Sequence, residues 1–196
     1  MMKSRIGFVI ILTTLAFAGT ALSQSEGVIK QKAAKVSPKA RSSADKKLDA
    51  SAKDLDRAAS SDGENKVATR LGAQFGMTAD AITAEKTQLG TSWGNLAIAH
   101  TLVANANGSV TVAQLIQMHA AGEGWGQIAA GLGFKLGETI SAVKAEDRVA
   151  KGLSKPNGKV ATIHGDGSKA GSGMTAPHHA ESMGGMKSDH GGGNGK

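Results

Sequence analysis

Two stretches decide how this chain reads: TSWGNLAIA at residues 91–99 and GEGWGQIAA at residues 122–130. Each carries Trp-Gly, one intervening residue, then an aliphatic residue and Ala. Trp93 pairs with Trp125 at a separation of 32 positions, and Gly90 with Gly122, Gly94 with Gly126, Leu96 with Ile128 and Ala97 with Ala129 keep the same spacing. A helix-like run opening on Thr precedes each core, TADAITAEKTQLG from Thr78 and TVAQLIQMHAAG from Thr111, and these superpose after a one-residue adjustment. A period in the low thirties with two short helices per unit marks helical pairs that bury a face against a neighbour. Two units are too few for a solenoid, so the expectation is a small all-α domain of five or six short helices, built as two related Trp-Gly hairpins plus a closing helix.

The large side chains agree on where the core lies. The 196 residues contain no Tyr, two Trp and four Phe, and Phe8 and Phe17 fall in an N-terminal apolar run. Trp93, Trp125, Phe75 and Phe134 are the remaining aromatics, and such residues give the most burial per side chain. The domain is therefore expected over 68–151. Within it the turn and cap residues fall in order. Gly76 ends a first short helix. Thr78 caps the second, which Gly90 closes, and Ser92 caps the third. The Asn-Gly turn at 107–108 then leads to Thr111 and Gln114, spaced as a capping box. A short helix follows Trp125, and a last one runs from Glu138 to Lys151.

Outside 68–151 the composition changes. Residues 1–23 have Lys3 and Arg5, an apolar run from Ile6 to Ala18, then small residues ending in Ala21-Leu22-Ser23. That is the layout of a secretory signal peptide with cleavage before Gln24. Ala16-Phe17-Ala18 offers a second cleavage site. The apolar run is short for a membrane span, and no comparable run follows it. The reading is a periplasmic or secreted protein with no transmembrane segment after cleavage. Absence of cysteine removes disulfides, thiolate nucleophiles and Cys-based zinc sites.

Residues 24–67 are rich in Ala, Lys and Ser, and Pro38 interrupts them. Their apolar stripe is thin, with Leu48 and Leu55 seven apart, so they are expected as a disordered or transiently helical linker. Over Lys30 to Lys47 alone, the cations Lys30, Lys32, Lys35, Lys39, Arg41, Lys46 and Lys47 stand against Asp45 as the single acid. Such a run attracts anionic partners: phospholipid headgroups, acidic envelope polymers or nucleic acid outside the cell.

Residues 152–196 are expected as a Gly/His/Met-rich flexible tail. The chain as a whole carries a formal net charge of +7.

Few residues suggest chemistry. His100 lies on the side of Leu96 and Val103, and His119 follows Met118 at a helix end; both read as satisfied structural histidines. No carboxylate pair or nucleophile–base set is placed for catalysis, although His100 with Glu85 or Glu123 would be the set to inspect. The two Trp residues could line a groove, but they read as core anchors where Gly94 and Gly126 permit close helix approach. The segment TVAQLIQMHAAGEGWGQIAAGLGF, residues 111–134, resembles the helix-turn-helix of recombinases and transcription regulators. That resemblance implies Ile128, Ala129 and Leu132 as packing residues of a second helix entering the major groove. Between Leu71 and Phe134, however, Lys86 is the only cation against Asp80, Glu85 and Glu123, and a recognition element needs a positive face.

The tail has the one composition with metal chemistry. His164, His178, His179 and His190 are donors for Cu²⁺, Ni²⁺ or Zn²⁺, and Met174, Met183 and Met186 for Cu⁺. The spacing is loose, so the site expected is weak and exposed. The expectation for function is an exported, non-enzymatic helical interaction or structural protein with no firmly bound cofactor. Metal buffering by the tail and helix-turn-helix binding of nucleic acid are the alternatives.

Overall fold

The computed structural model describes residues 19–165, with side-chain environments from Glu26 onward. The described residues form eight α-helices: α1 (Gly19–Ala33), α2 (Pro38–Asp62), α3 (Glu64–Phe75), α4 (Ala79–Leu89), α5 (Trp93–Asn105), α6 (Val112–Ala120), α7 (Trp125–Gly131) and α8 (Leu136–Ala150). The fold is all-α, as expected.

Local chemistry sets the helix ends from α3 onward. Gly76 and Gly90 take left-handed conformations (φ 73° and 57°) that close α3 and α4. The hydroxyl of Thr78 accepts the Ala81 N–H at 3.1 Å, and that of Ser92 accepts the Asn95 N–H at 3.2 Å. Thr111 and Gln114 form both bonds of the capping box. Trp93 and Trp125 are the first residues of α5 and α7 and are almost wholly buried, together with Leu96, Ile98, Leu102, Leu115 and Ile128. Six helices occupy the expected domain, with boundaries within a residue or two of those read from the caps.

The organising element lies outside that domain. Residues 24–67, expected as a linker, are built into α1, α2 and the start of α3. The 25-residue α2 packs against α3, α5, α7 and α8, while α1 packs on α7. The buried stripe of α2 is Ala44, Leu48, Ser51, Ala52, Leu55 and Ala59. It keeps the helical period but consists mostly of small residues, so it shows little hydrophobicity while letting other backbones come close. Gly94 of α5 sits on the Ala52 backbone, and Gly126 of α7 sits on Arg41, Ala44 and Asp45. Gly131 meets Ile29 of α1 in the same way.

Both Trp-Gly stretches thus begin helices that end-dock on one spine. Asp56 Oδ1 accepts the Gly94 N–H at 2.8 Å. Asp45 Oδ1 accepts the Gly126 N–H at 2.6 Å and the Gln127 N–H at 3.2 Å. Each aspartate supplies negative charge to a helix N-terminus, beside the Ser92 cap in α5 and without another side-chain cap in α7. Gly124, the residue before α7, has no side chain to cap with, so Asp45 does that work from another helix.

The second departure from the sequence reading is at the other end. Residues 153–165, expected within the flexible tail, form an extended strap tied down by side chains. Gln74 of α3 accepts the Asn157 N–H at 3.0 Å and donates to the Lys159 carbonyl at 2.9 Å. Asn105 of α5 donates to the Ala161 carbonyl at 3.0 Å and accepts the Ile163 N–H at 2.7 Å. Glu146 of α8 accepts the Ala161 N–H at 2.9 Å. Glu138 accepts the His164 N–H at 2.8 Å, and the strap ends in an isolated bridge between Phe134 and Gly165. These amide and carboxyl groups give the strap the pairing that a neighbouring strand would supply, and Ile163 is buried beneath it. The folded unit therefore extends well beyond 68–151 in both directions.

Candidate functional site

The corner where α1 turns into α2 is strongly charged. Lys32, Lys35, Lys39, Lys46 and Lys47 are all exposed there. Ser37 starts α2 by accepting the Ala40 N–H at 3.2 Å, and Pro38 occupies the first turn, where its missing donor does no harm. The single acid of the run, Asp45, is turned inward onto Gly126 and Gln127. Lys30 reaches Glu123 at 2.9 Å, a hydrogen-bonded ion pair that holds its ammonium above the usual lysine range. The fold therefore engages Asp45 with the start of α7 and leaves the five lysines exposed.

The histidines of the helical region are engaged in structure. His100 Nε2 lies 2.7 Å from Glu85 Oε2, and its ring stacks on Phe75 with centroids 4.8 Å apart. His119 Nδ1 is 3.0 Å from the Glu123 carbonyl, to which it can only donate, and its ring stacks on Trp125 at 4.5 Å. Glu123 also accepts from the Gln127 side chain. His100 and Glu85 do meet, whereas Glu123 is held by Lys30, Gln127 and His119 instead.

The indoles are buried rather than groove-lining. Trp125 Nε1 donates to Asn95 Oδ1 at 3.0 Å, which ties α7 to α5. Lys86 Nζ stands 5.1 Å from the centre of the Trp93 ring, within cation–π range.

The helix pair α6–α7 does not present a recognition helix. α7 has seven residues, and all but Gln127 are buried, because α1 and α2 pack against it. The packing positions Ile128 and Ala129 are filled as the resemblance implies, but no face of α7 is open to a groove.

Of the residues expected to hold metal, His178, His179, His190, Met174, Met183 and Met186 lie outside the described residues. His164 is exposed, and its Nδ1 is 2.7 Å from Glu138 Oε2. The Glu138 carboxyl is lowered to about 2, first by the His164 backbone N–H and then by the imidazole. Ser141 lines the same hollow of about 410 Å³, but its hydroxyl donates to the Gly137 carbonyl at 3.0 Å and not to the imidazole. Among the described residues no group of three or more His, Asp or Glu is gathered as for a metal ion, and no helix is long and apolar enough to cross a membrane.

A residue absent from the sequence reading is Glu146. It is 1% exposed, and burial pushes its carboxyl up against the opposing pull of the Ala161 N–H and the Gln74 amide. Only its size and place in α8 could have drawn attention to it, since period 3.6 puts it beside Ala142, Val143, Val149 and Ala150 on the inner face. Comparison with family models, curated proteins and solved structures finds no match for this chain, so its function is argued from these side chains.

Proposed function

We propose that the protein is an exported, non-enzymatic helical module that settles on an anionic surface of phospholipid headgroups through the α1–α2 corner. The observation that carries this reading is the cluster Lys32, Lys35, Lys39, Lys46 and Lys47, exposed together while Asp45 is drawn inward. A lysine beside an anionic bilayer contributes about 1 kcal/mol, so five together suffice for reversible association. Export is supported by the leader pattern of residues 1–23. Cleavage before Gln24 would remove only the first residues of α1 and keep Ile29 and Ala33, the residues that pack it.

The test is sedimentation with phosphatidylglycerol-containing and with neutral vesicles. Retention on the anionic vesicles should vanish near 0.5 M salt, where the screening length falls to about 4 Å. It should also vanish for the triple change Lys35→Glu, Lys39→Glu and Lys46→Glu. Equal retention on neutral vesicles, or retention that survives high salt, would refute the electrostatic reading.

A second reading, weak Cu, Ni or Zn binding by the tail, draws support from His164. Its Nδ1 rests on Glu138 and leaves Nε2 for another partner, the carboxylate–histidine arrangement that metal-ligating imidazoles use. Titration with Cu²⁺, Ni²⁺ and Zn²⁺ should show greater uptake by the full chain than by one ending at Gly165. Equal uptake by both would exclude the tail.

A further inference from the structure

Between α8 and the strap lies a cleft of about 430 Å³, lined on one side by Ala145, Glu146, Arg148 and Val149 and closed by Gln74 and the strap. Its volume is within the range of small-molecule sites. Glu146 Oε1 is used by the Ala161 N–H, but Oε2 has no hydrogen-bond partner among the described residues. Gln74 lies near enough to pull on the Glu146 carboxyl, but the bonds it closes run from Nε2 to the Lys159 carbonyl and from the Asn157 N–H to Oε1. A buried acceptor left without a donor is a rare arrangement in folded proteins.

The other charged groups lining the cleft are Arg148, Lys155 and Lys159. All three are exposed, and none forms an ion pair with a described residue. A simple cation would satisfy Glu146 but meet three positive charges. A simple anion would suit those charges but press against the Glu146 carboxyl. A ligand carrying both signs, with more negative than positive charge, meets both conditions. Ala145, Val149 and Ala161 offer an apolar wall for a short methylene chain.

We propose that this cleft binds a small acidic amino acid, with its ammonium group donating to Glu146 Oε2 and its carboxylates held among Arg148, Lys155 and Lys159. The ammonium supplies three donors where one acceptor is unmet, and the carboxylates accept charge-assisted bonds from the rim. The strap forms one wall, so the site exists only while Gln74, Asn105 and Glu146 hold residues 157–163 in place. The α1–α2 corner takes no part in it, and charge reversal there leaves the cleft intact.

Calorimetric titration of the full chain with L-glutamate, beside glutarate, which has both carboxylates and no ammonium, tests the assignment. Glutamate should bind and raise the melting temperature, and glutarate should bind weaker by about tenfold or more. Glu146→Gln keeps an oxygen for the Ala161 N–H but offers no anionic acceptor, so it should bring glutamate down to the glutarate level. Lys155→Ala with Lys159→Ala, both at exposed positions, should weaken both ligands by about tenfold or more without changing the helical content. Should Glu146→Gln fail to fold, the lysine pair and the glutamate–glutarate ratio still decide the matter. No heat and no thermal shift with glutamate up to about 10 mM, glutarate binding as tightly as glutamate, or binding untouched by the lysine changes would each overturn the assignment.

Discussion

Gly126→Ala is the sharpest test of how the fold is held. A Cβ at this position would lie 2.6 Å from the Arg41 carbonyl oxygen and 2.8 Å from both Ala44 Cβ and the Asp45 nitrogen. Ordinary contact begins near 3.4 Å, so α7 must back away from α2 by about 0.8 Å. Two of the obstructing atoms are main chain, which cannot swing aside. Overpacking of this kind costs about 1–3 kcal/mol. The same displacement stretches the Gly126 N–H bond to Asp45, a charged hydrogen bond of a class worth about 1.5–3 kcal/mol. Alanine returns at most about 1 kcal/mol in helix propensity. The net loss is about 2–4 kcal/mol, or roughly 5–15 °C in melting temperature for a domain of this size. Urea and thermal unfolding followed by far-ultraviolet circular dichroism read both. The matched control is Gly27→Ala in α1, where a Cβ meets nothing within 4 Å; it should be neutral or stabilising by up to about 1 kcal/mol. If Gly126→Ala were as stable as its parent, α7 could not be seated on α2 as described.

The remaining predictions concern the caps, the core and the strap. Asp45→Ala removes the cap that α7 lacks in its own sequence and should cost about 1–2 kcal/mol of stability, read as a lower urea midpoint. Trp93→Ala or Trp125→Ala should cost about 3–5 kcal/mol, and an unchanged melting transition would take that indole out of the core. Truncation after Gly152 should destabilise the helices themselves, because it strips the partners from Gln74, Asn105 and Glu146; truncation after Gly165 should not. Stability against pH should have two limbs. The Glu146 and Asp147 carboxyls are raised by burial, so their favourable contribution is complete below the ordinary carboxylate range and is lost as pH rises through the raised values. The Glu138 carboxyl is lowered, so its contribution is complete above that range and is lost as pH falls towards about 2. Glu146→Gln should reduce the first limb to the Asp147 part and leave the second, in urea midpoints measured across pH.

Much of the central region was legible because its signals are local. Gly76, Thr78, Gly90, Ser92 and the Thr111–Gln114 box act within one turn of chain, and each does what its type requires. The doubled Trp-Gly stretch correctly pointed to buried indoles and to glycines that admit a close neighbour. What it could not name was the neighbour. α2 buries Ala44, Ser51, Ala52 and Ala59 beside Leu48 and Leu55, and small residues leave almost no hydrophobic trace even when they are packed. Its two docking aspartates look like ordinary surface charge until the helix ends they serve are in place. The strap was hidden for a related reason. Its bonds run from main chain to Gln74, Asn105, Glu138 and Glu146, so the residues that order it lie far from it in sequence, and its own side chains say little. Of the proposed sites, the lysine corner was visible as a charge run, whereas only the fold shows that Asp45 turns away from it. The Glu146 cleft was not visible, because one wall of it is the strap.

The placement of α2 also bears on how the chain reaches this structure. Helical proteins usually fold fast because most of their contacts are local. Here the spine is made early and its clients late: Asp56 waits 38 residues for Gly94, and Asp45 waits 81 for Gly126. Residues 157–163, which bond to α3, α5 and α8, come later still in the chain. Each of these closures spends chain entropy before any burial rewards it. An amphipathic spine of alanines is well suited to the interval, since before its partners arrive it exposes little that would aggregate. The same small side chains that let glycines approach in the finished protein leave the lone helix with little apolar surface beyond Leu48 and Leu55.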